Sequence, residues 1–348
     1  MQKICTLFVF SIFSTILNAQ VYNGPESVEL DPSNGNVFVS NAAGGDIVRL
    51  LPNGTLQSFA SGFTSGPHGL ELIGDTLYAC DGGLIRLVDR TSGTIINTVN
   101  LSASFLNGIT HKGTNLFITD FSAKKIYRLN TKNNSFNVFT STLTKTPNGI
   151  IYDYLNDRLV YCCWGSSAPV YEVNLADSTI NFLANTATSN CDGIAMNCQG
   201  EFYIASWSPN AINKYNSAFS TVSTVSITGG VSSPADIYFT NTDTLIIPNS
   251  AANTVSKQHL TSCITNVSNL TNENTISVYP NPFSNLMTIS NPEDFTKAEI
   301  SDITGKVVYS TLLRNGNNAL DLEKLTAGVY VLQVYLQDKV QSIKISKK

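Results

Sequence analysis

The chain has 348 residues, 25 acidic and 21 basic side chains for a net charge of −4, and only 13% charged residues. This length excludes one small domain, the low charge excludes a disordered polymer or a long coiled coil, and 42% hydrophobic residues can fill a sizeable core. Without a Lys/Arg cluster, nucleic acid and an anionic membrane surface are excluded as main partners, because phosphates are held by concentrated positive charge.

Residues 1–19 read as a secretory signal peptide: Lys3 opens it, Leu7 to Leu17 is an apolar run, and Leu17-Asn18-Ala19 is a small-residue end before Gln20. The run is too short to span a bilayer, and no later window is long and apolar enough, so no transmembrane segment is expected after its removal. Cys5 lies too early to accept a lipid. Export would leave Cys80, Cys162, Cys163, Cys191, Cys198 and Cys263 in an oxidising compartment. An even count permits disulfides without assigning them, the spacings fit no zinc pattern, and buried thiols on strands are the alternative.

Residues 20–263 repeat one phrase six times: Pro25-Glu26-Ser27-Val28, Pro67-His68-Gly69-Leu70, Leu106-Asn107-Gly108-Ile109, Pro147-Asn148-Gly149-Ile150, Cys191-Asp192-Gly193-Ile194 and Pro234-Ala235-Asp236-Ile237. A period of roughly 40 residues is that of a four-stranded propeller blade. In the fourth repeat, Gly149 to Tyr152, Arg158 to Cys163, Val170 to Val173 and Thr179 to Leu183 read as strands of a meander. The sixth repeat signals only three strands. Either Gln20 to Asn23 or Cys263 to Val267 is expected to complete its sheet.

First strands of propeller blades line a central shaft, so equivalent positions converge on one mouth. Glu26, His68, Asn107, Asn148, Asp192 and Ala235 form that set. Carboxylates mixed with amide oxygens suit one divalent cation, calcium rather than zinc. The competing reading is that Asn-Gly and Asp-Gly merely form turns. That reading does not account for Glu26 and His68 in the same register. Trp164 and Trp207 follow the second strands of repeats four and five, in reach of the mouth or packed in the core. His111 and His259 fall outside the register and read as surface residues.

On the phrases GPESVEL, PHGL, LNGI, PNGI and CDGIAMNCQGEFYIA, this region resembles the calcium-dependent SMP-30/gluconolactonase and paraoxonase propellers, with NHL-repeat propellers as more distant relatives. The resemblance implies Glu26, Asn148 and Asp192 as metal ligands and Asn107 as a ligand or a substrate contact. It also implies His68 or Asp192 as the catalytic base. Paraoxonases carry a second histidine where Tyr78 to Gly83 has none, so no dyad is available. Ser27 and Gly108 replace the carboxylates of their second calcium, so a single metal is expected.

Residues 264–274 are polar and read as a linker. From residue 275 to 348, Val278 to Phe283, Ile300 to Val308, Leu325 to Leu332 and Ile343 to Lys348 alternate apolar residues between turns, as in a small Ig-like β-sandwich. These phrases resemble the type A C-terminal sorting domain of the type IX secretion system. That resemblance implies recognition by the secretion machinery and a secreted or outer-membrane-attached product. The chain is thus expected to be all-β, a six-bladed propeller followed by a sandwich, with calcium-dependent hydrolysis of lactones or esters at the propeller mouth. The alternatives are a non-catalytic propeller binding a glycan, peptide or protein there, and a structural surface protein.

Overall fold

The computed structural model describes residues 21–141, 143–260, 276–291, 297–302, 306–314, 316–336 and 339–348. The expected signal peptide, Cys263 and the 264–274 connection lie outside them. The chain divides into two compact units, Met1–Ile264 and Thr265–Lys348. Among the described residues no helix is long and apolar enough to cross a membrane.

Among the described residues of the first unit, five antiparallel sheets have four strands and a sixth has three, each in sequence order; blades 1 to 6 span residues 25–61, 70–100, 106–140, 146–185, 189–224 and 238–259. Blade 4 consists of Thr146–Asp153, Arg158–Trp164, Pro169–Asn174 and Ile180–Asn185. Alternation buries one set of side chains against the preceding blade and the other against the following one. Six apolar clusters result, one per interface: Phe38 and Ile47 meet Leu77 and Val88 between blades 1 and 2, while Val39 and Val48 meet Ile246 between blades 1 and 6.

Of the two segments expected to complete blade 6, Cys263 to Val267 lies outside the described residues. Among the described residues that blade keeps three strands, Tyr238–Phe239, Thr244–Asn249 and Thr254–His259. Val21 to Asn23 is not a strand; it lies against blade 1, where Asn23 N donates to Asn41 Oδ1 at 3.1 Å. Among the described residues the first and last blades are joined at their innermost strands. Asp236 N donates to Glu26 O at 2.7 Å, Ser27 Oγ donates to Asp236 Oδ2 at 2.8 Å, and Ser27 bridges Asp236 in parallel.

The anchor glycines are not turn formers. Gly108, Gly149 and Gly193 lie inside strands, and none has a positive φ. A Cβ on Gly149 would stand 2.5 Å from Asp192 O, and one on Gly69 would stand 2.1 Å from Asn107 O. The glycines are needed because each inner strand presses on the backbone of the next blade.

Four inner strands carry a bulge, for example between Pro147 and Ile150, which frees a backbone amide. In blades 1 and 3 a hydroxyl of the second strand satisfies it, Ser27 N donating to Ser40 Oγ at 2.8 Å. Gly108 N donates to Thr119 Oγ1 at 2.8 Å, and Thr119 Oγ1 donates to Asn148 O at 2.7 Å. Cys162 holds the equivalent place in blade 4, its Sγ donating to Asp192 O at 3.2 Å. Cys80, Cys162, Cys163 and Cys191 are accordingly free and buried, whereas Cys198 is disulfide-bonded.

The second unit packs a three-stranded sheet, comprising Ser277–Tyr279, Leu286–Asn291 and Gly316–Asp321, on a four-stranded one. Phe283, Met287, Ile300 and Leu332 fill the space between them. This is the sandwich expected, with Leu286–Asn291 and Gly316–Asp321 as strands that the sequence reading passed over.

Candidate functional site

Four consecutive residues of each inner strand build four tiers of the shaft. The anchor tier is Glu26, His68, Asn107, Asn148, Asp192 and Ala235; next come Ser27, four glycines and Asp236 at the waist. An aliphatic tier follows, Val28, Leu70, Ile109, Ile150, Ile194 and Ile237, and then Glu29, Glu71, Thr110, Ile151, Ala195 and Tyr238. The waist contacts described above keep the six strands in this register.

In the anchor tier Glu26, Asn107, Asn148 and Asp192 are all buried. Asn148 Nδ2 donates to Asp192 Oδ1 at 2.9 Å, which leaves Asn148 Oδ1 buried without a partner. Burial, and secondarily Asp236, pushes Glu26 up to about 8. Burial and then the Glu26 charge push Asp192 well above the carboxylate range. Neither carboxylate has a salt-bridge partner among the described residues. Two desolvated acids repelling each other beside an orphaned amide oxygen form a cradle for positive charge. The donor set is two carboxylates plus amide oxygens; among the described residues no three Asp, Glu, His or Cys side chains converge as a cage of their own.

His68 and Asn107 share this tier but make no hydrogen bond to either carboxylate. His68 Nδ1 is buried and unpartnered, and burial lowers the ring to about 4. Its edge meets Phe105 with centroids 4.7 Å apart. From there an aromatic arc runs through Phe121 at 5.6 Å, Trp164 at 6.1 Å and Trp207 at 5.2 Å, each distance from the ring before. Phe121, Trp164 and Trp207 occupy one position in blades 3, 4 and 5, two residues past the equivalent Thr119, Cys162 and Ala205. Ala42, Gly82 and Ser250 stand there in blades 1, 2 and 6, so the aromatic wall covers one side of the mouth. Phe121 was legible from that alignment of second strands, though not from the anchor phrases.

The other end of the shaft was missed altogether. A cavity of about 350 Å³ is lined there by Glu29, Glu71, His111, Tyr152 and Tyr238 among others. His111 is therefore no idle surface residue: its Nδ1 pairs with Glu71 Oε1 at 2.7 Å, a contact that holds the imidazole pKa up. His259 is exposed, as expected. Asp236, at the waist, is pushed up to about 7 by burial and by Glu71, against the hydrogen bond from Ser27.

The propeller is similar in fold to a structural genomics protein of unknown function from Bacteroides thetaiotaomicron, with TM-score 0.58 and 15% identity over 69% of this chain and 70% of that one. It is also similar to a catalytically inactive virginiamycin B lyase from Staphylococcus aureus solved with quinupristin, with TM-score 0.54 and 17% identity over 70% and 82%. A chain of a nidogen/laminin complex matches with TM-score 0.51 and 16% identity over 62% and 90%. At these identities the likeness is one of fold. No curated protein matches the chain. Residues 277–348 match the family described as Secretion system C-terminal sorting domain. The chain thus carries a type IX sorting tail, recognised by that secretion machinery, and is exported for secretion or surface attachment.

Proposed function

We propose that the anchor mouth holds one calcium ion and hydrolyses a lactone or ester outside the cell. The observation that carries this reading is the pair of buried, mutually repelling carboxylates Glu26 and Asp192 beside the orphaned Asn148 Oδ1. Glu26, Asn148 and Asp192 would hold the cation, with Asn107 alongside. Calcium, when bound, supplies positive charge where negative charge builds on a substrate carbonyl. Asn148 orients the Asp192 carboxylate through its amide hydrogen bond. His68, kept neutral by burial, offers an unpartnered ring nitrogen as acceptor for a proton from water.

Chelator-treated protein is expected to recover hydrolysis of small lactones and aryl esters on addition of calcium, with one ion bound per chain. Turnover unaffected by chelation would refute the metal reading. His68→Gln is expected to lower turnover by about 10²-fold or more while calcium still binds and the fold persists. Unchanged turnover removes His68 from the chemistry.

A second reading, a binding propeller without catalysis, is favoured by the aromatic arc, since partly exposed aromatic rings stack on planar or sugar rings. A bound ligand without turnover across the panel would select it. For the tail, an inert periplasmic reporter fused to residues 275–348 is expected to reach the medium or cell surface of a host with type IX secretion. Retention of the fusion in the periplasm would contradict a sorting role.

A further inference from the structure

The cavity opposite the anchor mouth is a built pocket that neither the proposed hydrolase site nor the sorting tail uses. Its inner end is formed by the aliphatic tier, one side chain from each blade, all buried. Its wall carries Glu29 and Glu71. Glu29 is only 8% exposed and has no cationic partner among the described residues, while Glu71 shares its charge with His111. Its outer end is aromatic, with Tyr152, Tyr238 and Tyr154, the last 55% exposed. This outer end already attracts a cation: the Lys112 ammonium, itself held by Asp157, lies 5.4 Å from the centre of the Tyr152 ring. Asp236 adds a further carboxyl from the waist side, so the pocket sets three carboxyl groups against one imidazole.

An apolar floor, an acidic wall and tyrosine rings above them are complementary to one kind of ligand. A protonated amine neutralises buried carboxylates and stacks on ring faces, and a compact hydrocarbon body covers the aliphatic floor. We infer that this cavity binds a small organic cation, with its ammonium between Glu29 and Glu71 and its apolar body on the aliphatic tier. The site is independent of calcium at the other mouth.

Isothermal titration of the mature full-length protein with cyclohexylamine tests this. Saturable one-to-one binding is expected, together with none by the neutral isostere cyclohexanol, a loss of about ten-fold or more in Glu29→Gln, and unchanged binding in Asp192→Asn. Tyr154→Ala, at an exposed position, is expected to weaken binding a few-fold and keeps the test decisive if Glu29→Gln does not fold. Nα-acetyl-lysinamide serves as a second arm: binding tighter than cyclohexylamine identifies the cation as a peptide side chain, and weaker binding identifies a free amine. The proposal is overturned if cyclohexylamine does not saturate, if cyclohexanol binds equally, or if affinity is indifferent to both variants. A calcium ion that remains in Asp192→Asn and is lost in Glu29→Gln would also overturn it, by making the cavity a metal site.

Discussion

Asp192→Ala is expected to abolish calcium-dependent hydrolysis, by about 10³-fold or more, without unfolding the metal-free protein. Removing Asp192 relieves the repulsion it shares with Glu26, so the variant should be at least as stable as the parent in chelator. The parent alone should respond to calcium. At one hundred times its dissociation constant, a ligand of the native state adds about 2.7 kcal/mol, which corresponds to a rise of several degrees in Tm for a domain of this size.

The same carboxylates set the pH dependence. Glu26 is raised from an ordinary value of 4.5 to about 8, so across that window the folded chain holds a proton that the unfolded chain has released. Metal-free stability therefore falls as pH rises from about 4.5 to about 8 and levels off above. Calcium requires the ionised forms and offsets that loss, so its effect on Tm should grow with pH over the same window. Thermal unfolding with and without calcium checks both statements. A calcium shift that is flat with pH, or that survives Asp192→Ala, would sink the assignment.

Gly149→Ala should be among the most damaging small substitutions in the propeller. The new methyl would sit 2.5 Å from Asp192 O and 3.0 Å from Gly193 Cα, both backbone atoms of the neighbouring blade. Neither can yield without moving an inner strand, so about 3 kcal/mol or more of destabilisation is expected, at the upper end of overpacking effects. Gly149→Asn, which a turn would accept, should fail as badly because its Cβ meets the same backbone atoms. Gly113→Ala is the control. It has φ +57° but no neighbour within 4 Å of an added Cβ, and only the modest strain of a left-handed alanine applies. Denaturant midpoints of the three variants provide the measurement, and near-equal values for Gly149→Ala and Gly113→Ala would contradict the close-packed ring.

The propeller was legible because its tightest constraint falls on consecutive residues. The waist needs glycine in most blades, and that spaces the anchors evenly along the chain. Asn148 and Asp192 could be placed at one mouth from this register alone, and their hydrogen bond follows from it. Glu29 and Glu71 stand three positions beyond Glu26 and His68, so the same register held the second mouth, but a search confined to the anchors passes over it. Asp236 was visible as the residue that breaks the glycine pattern. Its hydrogen bond with Ser27 was not, because ring closure joins backbones more than two hundred residues apart and leaves no local signature. Cys162 read as a possible disulfide partner until its alignment with Thr119 showed a bulge cap. In the sandwich, Gly316–Asp321 alternates weakly, since Asn317 and Asn318 dilute the apolar pattern.

The aromatic arc gives the protein an optical label. The chain contains two tryptophans, and both stand on the same side of the anchor mouth with ring centres 5.2 Å apart. Indole emission from the whole chain therefore originates at one location. Their proximity couples the two chromophores, so the near-ultraviolet dichroism and the emission wavelength both register what enters that mouth. A molecule lodged only at the far end of the shaft should leave those spectra untouched, so occupancy of the two ends can be followed separately in unlabelled protein.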